Sequence, residues 1–181
     1  DARIPNNAEV THALSLTDPQ LIELDPLSCT VFLAKEGMKL DLGCLAKGYI
    51  ADKIADYLKS QHVMSALINL GGNIKTIGAN VLANRPWQIG IQDPRQPRGT
   101  NLAVLPICNQ SVVTSGTYER KLQVNERTYH HILDRKTGYP VDTQLASITI
   151  ISDNSLDGEI LTTRLYGEKP RQLLARVEQE K

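Results

Sequence analysis

The sequence carries no surplus of charge of either sign, since 20 lysine and arginine residues balance 20 aspartate and glutamate residues. A dedicated nucleic-acid-binding protein would show a basic excess or a basic stripe, so this class is disfavoured. No apolar run is long enough to predict a transmembrane helix. With 181 residues, the chain is long enough for one domain, or one and a fraction, with a buried core.

Cysteine is scarce, and the three cysteines (Cys29, Cys44 and Cys108) form neither a CxxC pair nor a metal-ligand cluster. An odd number of cysteines argues against a complete disulfide framework. We therefore expect free thiols, mostly buried in the way that unpaired cysteine usually is.

The pattern of apolar residues predicts an α+β fold with a largely antiparallel sheet, because strands dominate the middle and helices lie near both ends. The predicted helices cover 8–16, capped by Asn6 or Asn7, then 46–61, a segment starting near Ser155, and 170–178. The predicted strands cover 21–24, 28–33, 65–70, 74–77, 87–91, 102–106, 111–114, 118–124, 129–133 and 146–151. The opening DARIPNNAEV is typical of a loop inside a protein, so we expect an N-terminal portion to be missing.

The segment DLGCLAKGY at 41–49 combines Gly43 with the start of the clearest helix. On that helix the apolar stripe is predicted to be Ile50, Ile54, Tyr57, Leu58 and Gln61. A helix N-terminus favours anions, so Lys47 in the first turn is electrostatically unusual unless a phosphate binds there. A solvated lysine is the alternative. Gly48 lowers helix propensity, which suggests that another group approaches the backbone at this point.

Two glycines, Gly71 and Gly72, follow a predicted buried strand in NLGGN at 69–73. They permit a ligand to approach the backbone, although a tight turn explains them equally simply and is favoured on these residues alone.

The segment YHHILDRKTGYP at 129–140 places His130 and His131 next to each other on a predicted strand. Neighbouring side chains on a strand face opposite sides, so only one of them can face a site. A histidine there is a candidate general base. An edge strand with two partly exposed histidines is the alternative.

In SLDGEILTT at 155–163, Glu159 and Thr163 lie four residues apart at the start of a helix and share a face. A carboxylate and a hydroxyl are oxygen ligands of the kind that Mg²⁺ accepts. Ordinary N-terminal capping, with Asp157 as a possible cap, is the simpler interpretation of these residues alone.

Taken together and in this order, these four segments resemble the ApbE family, the FAD:protein FMN transferases. The resemblance runs over nearly the whole chain. It includes PWQIGIQDP at 86–94 and VVTSGTYER at 112–120, which are similar to the PWxVGIxDP and VATSGxYxR segments of that family. Several independent motifs in the same order make a chance match improbable.

The resemblance implies two sets of site residues. The FAD-contacting positions are Asp41, Lys47, Gly71, Gly72, His131 and Ile132, with Asp134 and Gly138 beside them. The metal-binding positions are Cys44, Glu159 and Thr163. Cys44 would act through its backbone carbonyl, where the family usually has alanine or threonine. Glu159 stands where the family's DxxxT motif has aspartate, one methylene shorter. The family's N-terminal region, which supplies much of the flavin pocket, has no counterpart here, and the 4% aromatic content fits that omission.

The function implied by the resemblance is Mg²⁺-dependent transfer of FMN from FAD to a Thr or Ser hydroxyl of an acceptor protein, with release of AMP. Lys47 and His131 would be the catalytic residues, holding the phosphates and accepting the hydroxyl proton. Two alternatives stay open: an FAD pyrophosphatase that yields FMN and AMP, and a non-catalytic flavin-binding remnant. The family also implies an extracytoplasmic protein, associated with the membrane only through a missing N-terminal lipid anchor, and no nucleic-acid partner.

Overall fold

The computed structural model of the chain describes residues 3–116, 121–124 and 127–179. The helices are α1 (Asn7–Leu14), α2 (Ala46–Ser60), α3 (Ser155–Leu165) and α4 (Pro170–Gln179), with a short 3₁₀ turn at Pro19–Leu21. The strands are β1 (Ile22–Asp25), β2 (Thr30–Leu33), β3 (Ala66–Leu70), β4 (Asn73–Ile77), β5 (Trp87–Gln92), β6 (Asn101–Ile107), β7 (Ser111–Gly116), β8 (Lys121–Val124), β9 (Arg127–His130) and β10 (Ser147–Ser152).

The chain forms two compact units. The first comprises Asp1–Asp41 and Arg120–Asp142, and the second comprises Leu42–Glu119 and Thr143–Lys181. The first unit contains α1 and the antiparallel hairpins β1–β2 and β8–β9. The second unit contains a four-stranded antiparallel sheet in the order β10-β7-β4-β3, the hairpin β5–β6 and the other three helices. The predicted α+β fold with antiparallel pairing is confirmed.

Strand β4 separates two layers of the second unit, because alternate side chains of a strand face opposite sides. On one side, Ile77 packs with Ala51 and Ala55 of α2. On the other side, Ile74 packs with the buried Ile89 and Ile107 of the β5–β6 hairpin. Helices α2 and α3 therefore cover one face of the sheet and the hairpin covers the other.

The buried face of α2 differs from the predicted stripe. Gly48, Ala51 and Ala55 are the buried residues of this helix, whereas Ile50 is 46% exposed and Tyr57 is 65% exposed. The prediction followed the largest apolar side chains. Ile54 and Leu58 of the predicted stripe are partly buried and pack against the core, as predicted. The residues buried most completely are the small ones, which let the backbones of neighbouring elements approach closely.

Two further expectations from the sequence were wrong. The predicted strand at 129–133 extends too far, because β9 covers only Arg127–His130. His131 therefore lies outside the strand, and the alternation of side chains along a strand does not decide how the two histidines are oriented. The cysteines Cys29, Cys44 and Cys108 are free, as predicted, but all three are exposed rather than buried.

The last four residues of the VVTSGTYER segment, 117–120, lie outside the described residues. No helix in the described part of the chain combines the length and apolarity needed to cross a bilayer.

Helix α1 begins with a capping box. The Asn6 side chain accepts a hydrogen bond from the Glu9 amide at 3.0 Å, and the Glu9 carboxylate accepts one from the Asn6 amide at 2.8 Å. The Arg3 guanidinium donates to both Glu9 carboxylate oxygens. These bonds, first those from Arg3 and then the one from Asn6, lower the pKa of Glu9 from 4.5 to about 2.

The lowered pKa of Glu9 predicts a pH-dependent cap. Because the folded-state pKa lies below the unfolded one, the contribution of Glu9 to stability is fully present above about pH 4.5. That contribution is lost as the pH falls through about 2. A carboxyl-detected NMR titration should give this low midpoint, and Arg3→Ala should move the midpoint upward. An ordinary midpoint for Glu9 in the unaltered protein would contradict the capping geometry.

Candidate functional site

The site in the second unit begins with a close contact between the first turns of α2 and α3. A Cβ added at Gly48 would lie 2.7 Å from Ser155 O, 2.8 Å from Leu156 Cα and 2.9 Å from Glu159 Cγ. Real Cβ atoms do not come this close to backbone atoms. The expectation that another group approaches Gly48 is confirmed, and that group is the N-terminal turn of α3.

This contact brings the predicted site residues Lys47 and Glu159 together. Glu159 is only 4% exposed, and its Oε1 atom lies 3.3 Å from the Lys47 Nζ atom. The same oxygen accepts a hydrogen bond from Asn73 Nδ2 at 2.8 Å. A buried carboxylate needs such partners, because an unpaired buried charge is strongly unfavourable. A lysine in the first turn of a helix is unfavourable next to the positive end of the helix dipole. The Glu159 carboxylate offsets this effect at Lys47.

Lys47 remains available to a ligand, because its side chain is 48% exposed while that of Glu159 is 6% exposed. The N-cap residue of α2 is Leu45, which makes no side-chain cap hydrogen bond. Helix N-termini present backbone N–H groups and a positive dipole end to anions. The start of α2 with Lys47 is thus chemically suited to a phosphate group.

Asn73 owes its position to the glycine turn that precedes it. Gly71 and Gly72 have φ angles of +63° and +95°, and they join β3 to β4 with Leu70 opposite Asn73. A Cβ at either glycine would meet nothing within 4 Å, so their positive φ angles, and not crowding, call for glycine. The turn interpretation is confirmed. The contact of Gly71 and Gly72 with FAD stays a prediction.

Sequence reasoning missed four residues that hold the start of α3, the helix that carries Glu159: Asn73, Ser155, Asp52 and Lys75. The Ser155 hydroxyl donates to Asn73 Oδ1 at 2.5 Å. The Asp52 carboxylate accepts hydrogen bonds from the Ser155 and Leu156 amides at 2.8 and 2.9 Å. One signal was available in the sequence, because Lys75 is a charged residue inside the predicted strand 74–77, between Ile74 and Ile77.

Asp157 is not the N-terminal cap of α3. It lies in the first turn of α3 and accepts a hydrogen bond from the Asn154 side chain at 3.2 Å. The carboxylate that accepts from the first amides of α3 belongs to Asp52, on a different helix.

The predicted metal-binding residues have oxygen donors of suitable chemistry. Glu159 is buried, Thr163 is exposed one turn further along α3, and Cys44 is exposed just before α2. Within the described residues, no group of three or more histidine, cysteine, aspartate or glutamate side chains converges on a metal position. Mg²⁺ often uses only one or two protein carboxylates and completes its coordination with phosphate and water oxygens. The Glu159 carboxylate, the Thr163 hydroxyl and the Cys44 backbone carbonyl are oxygen donors that fit this kind of Mg²⁺ coordination.

In the first unit, the two adjacent histidines have different surroundings. The His130 Nε2 atom lies 3.1 Å from the Val141 carbonyl oxygen, and its Nδ1 atom accepts a hydrogen bond from the Ile132 amide at 3.3 Å. Both ring nitrogens of His130 are thus occupied by backbone groups, which fits a structural role. His131 is exposed and follows the end of β9. Of the two histidines, His131 is the better candidate for proton transfer.

The loop after His131 is held by backbone hydrogen bonds. Asp134 accepts from the Gly138 amide through its carbonyl at 2.7 Å, and its amide donates to the Tyr139 carbonyl at 2.8 Å. Gly138 has a φ of +73°, and a Cβ there would lie 2.7 Å from Val10 Cγ1 of α1. The roles of Asp134 and Gly138 in the first unit are therefore to shape this loop. Asp41 ends the first segment of that unit, and its contact with FAD stays a prediction.

Comparison with known proteins gives consistent matches. The sequence model of the ApbE family matches residues 1–181. An FAD:protein FMN transferase from Klebsiella pneumoniae (strain 342) is 49% identical over 164 residues, covering 91% of this chain and 50% of the relative. The crystal structure of the ApbE protein from Thermotoga maritima superposes with a TM-score of 0.87 at 31% identity, covering 98% of this chain and 57% of that one. The flavinyl transferase ApbE from Pseudomonas stutzeri, in its apo form, gives a TM-score of 0.79 at 29% identity, with 98% and 54% coverage. The chain thus spans about half the length of these relatives.

Proposed function

The chain belongs to the ApbE family, and from this membership we propose that it transfers FMN from FAD to a hydroxyl group of an acceptor protein. The relative from Klebsiella pneumoniae is named for that activity. The observation that carries the proposal is the pair formed by a buried carboxylate, Glu159, and a half-exposed ammonium, Lys47, 3.3 Å apart. Their position near the N-termini of two touching helices suits a pyrophosphate ligand.

In the proposed reaction, residues of this chain bind the pyrophosphate and accept a proton. Lys47 and the N-terminal amides of α2 bind the FAD pyrophosphate through charge and hydrogen bonds. His131 accepts the proton of a Thr or Ser hydroxyl. The hydroxyl oxygen forms a bond to the FMN phosphorus, while the bond between that phosphorus and the bridging oxygen breaks. AMP leaves with the bridging oxygen, and the product is a phosphoester between FMN and the acceptor protein.

Glu159, Thr163 and the Cys44 carbonyl are the residues that would hold Mg²⁺. When bound, Mg²⁺ neutralises charge that builds up on phosphate oxygens. Glu159 is already ordered for such a role by its hydrogen bond from Asn73. The longer glutamate in place of the family's aspartate is compatible with this arrangement, because its carboxylate reaches Asn73 and Lys47 while its Cγ lies against Gly48.

The proposal is tested by intact-mass spectrometry of an acceptor protein incubated with the chain, FAD and Mg²⁺. We expect the acceptor to gain the mass of one FMN and AMP to appear in equal amount. The positive control is the relative from Klebsiella pneumoniae with the same acceptor. A matched reaction containing EDTA should give no adduct.

Two outcomes of this experiment contradict the proposal. If FAD is cleaved to FMN and AMP at the same rate with and without acceptor, the chain is a pyrophosphatase. If neither adduct nor AMP forms while the relative is active, the chain is not catalytic, and an FAD titration then decides whether it is a flavin-binding remnant. The extracytoplasmic location and the lipid anchor stay predictions.

A further inference from the structure

The N-terminus of α3 is capped by a residue of another helix. Asn154 occupies the N-cap position but makes no side-chain cap hydrogen bond. Asp52 of α2 accepts instead from the Ser155 and Leu156 amides with its two separate oxygens, at 2.8 and 2.9 Å. A carboxylate at this end of a helix satisfies amides that have no intrahelical partner and complements the helix dipole. The cap therefore also fastens α3 to α2.

A buried lysine holds this cap in place. The side chain of Lys75 is 6% exposed, and its Nζ atom lies 3.6 Å from Asp52 Oδ1. The same ammonium donates a hydrogen bond to the carbonyl of Asp153, shortly before α3 begins. Lys75 thus ties the chain entering α3 to the carboxylate that caps it. A buried lysine is strongly unfavourable without such partners.

Strand β4 contributes a second attachment through Asn73, which lies two residues before Lys75 and so faces the same side of the sheet. Asn73 is 1% exposed. It accepts a hydrogen bond from Ser155 Oγ and donates one to Glu159 Oε1. The residue at the first position of α3 is therefore held through its backbone by Asp52 and through its side chain by Asn73.

We propose that Asp52 and Lys75 are positioning residues that fix the first turn of α3 against α2 and thereby set the separation of Glu159 from Lys47. The effect of these two residues on FMN transfer rests on the proposed function, whereas their effect on the placement of α3 does not. Any slip of α3 moves the Glu159 carboxylate, because Glu159 lies one turn after Ser155 on the same rigid helix.

The test replaces Asp52 with asparagine, which keeps the shape but removes the charge. An asparagine offers one acceptor oxygen where two amides need one each, and it presents an NH₂ group to the other amide or to Lys75. We expect faster hydrogen exchange at the Ser155 and Leu156 amides and a shift of the Asn73 side-chain amide resonances. The matched control is Asp56→Asn, one turn further along α2 and exposed, which should change neither.

The kinetic measurement separates positioning from simple loss of folded protein. In Asp52→Asn we expect the Mg²⁺ concentration for half-maximal FMN transfer to rise about 10- to 100-fold, as found when supporting residues of metal sites are replaced. Partial unfolding alone would lower the rate at every Mg²⁺ concentration without moving the half-maximal value. Asp52→Glu retains the charge and should restore part of the Mg²⁺ response. If Asp52→Asn does not fold, Asp52→Glu is measured against the unaltered protein, and we expect smaller changes in the same direction, because the added methylene displaces the capping carboxylate.

Two results would overturn the inference. One is unchanged exchange at the Ser155 and Leu156 amides in Asp52→Asn. The other is faster exchange with an unchanged half-maximal Mg²⁺ concentration. If the unaltered protein transfers no FMN, the proposed function fails, and the amide exchange together with the Asn73 resonances still decides whether Asp52 positions α3 and Glu159.

Discussion

Replacing His131 with alanine is expected to lower the rate of FMN transfer by about 10²–10⁴-fold, the usual contribution of a general base. FAD binding should be weakened far less than transfer, because His131 is only one of the predicted FAD-contacting positions and the proposed phosphate-binding groups of the second unit are untouched. The effect therefore falls on the rate of the chemical step. Single-turnover transfer to the acceptor protein and FAD titration by flavin fluorescence measure the two quantities separately.

The matched control for this prediction is His12→Ala, since His12 is an exposed histidine on α1. It should transfer FMN at the unaltered rate. For His130→Ala we expect a lower stability of the folded protein, because His130 makes hydrogen bonds with the Val141 and Ile132 backbone. An unaltered transfer rate in His131→Ala would remove His131 from the mechanism.

Replacing Gly48 with alanine is expected to destabilise the protein, although the same change in most helices is stabilising. Helix propensity alone favours alanine by about 1 kcal/mol. At Gly48, however, the new Cβ would lie 2.7 Å from the Ser155 carbonyl oxygen. That oxygen belongs to backbone and cannot rotate away, and overpacking of this kind costs about 1–3 kcal/mol. The clash outweighs the gain in propensity.

Thermal unfolding measures this effect directly. For a protein of this size, each kcal/mol lowers the Tm by about 2–4 °C. The control is Lys59→Ala on the exposed side of α2, which should change the stability by no more than about 0.5 kcal/mol. Because α3 must move away from α2 to admit the methyl group, Gly48→Ala should also slow FMN transfer. A Tm equal to or above that of the unaltered protein would show that the two helices do not touch at Gly48.

The amino-acid sequence by itself determined the elements and the family. Helix α2, the strand ending in NLGGN and the helix beginning near Ser155 were predicted within one or two residues, because apolar spacing and glycine turns act over short distances along the chain. The positive φ angles of Gly71 and Gly72 are such a local feature. The order of the motifs pointed to the ApbE family before any contact was known.

The sequence also indicated that the contact face of α2 is unusual, through Gly48, but it could not identify the partner. The predicted stripe correctly included Ile54 and Leu58, which pack against the core, but it omitted the buried residues Gly48, Ala51 and Ala55. Which face of a helix is buried depends on what packs against it. The small residues on this face became informative only once α3 and the sheet were placed.

Only the tertiary structure decided how the site is held together. The 3.3 Å pair of Lys47 and Glu159 joins the N-terminal parts of two helices that are far apart in sequence. The carboxylate that caps α3 comes from Asp52, whereas sequence rules for helix caps consider only the residues next to the helix. Asn73 and Lys75 similarly acquire their partners across the sheet–helix boundary. Such long-range hydrogen bonds leave no periodic pattern in the sequence, because they depend on the final distance between elements and not on the spacing of residues within one.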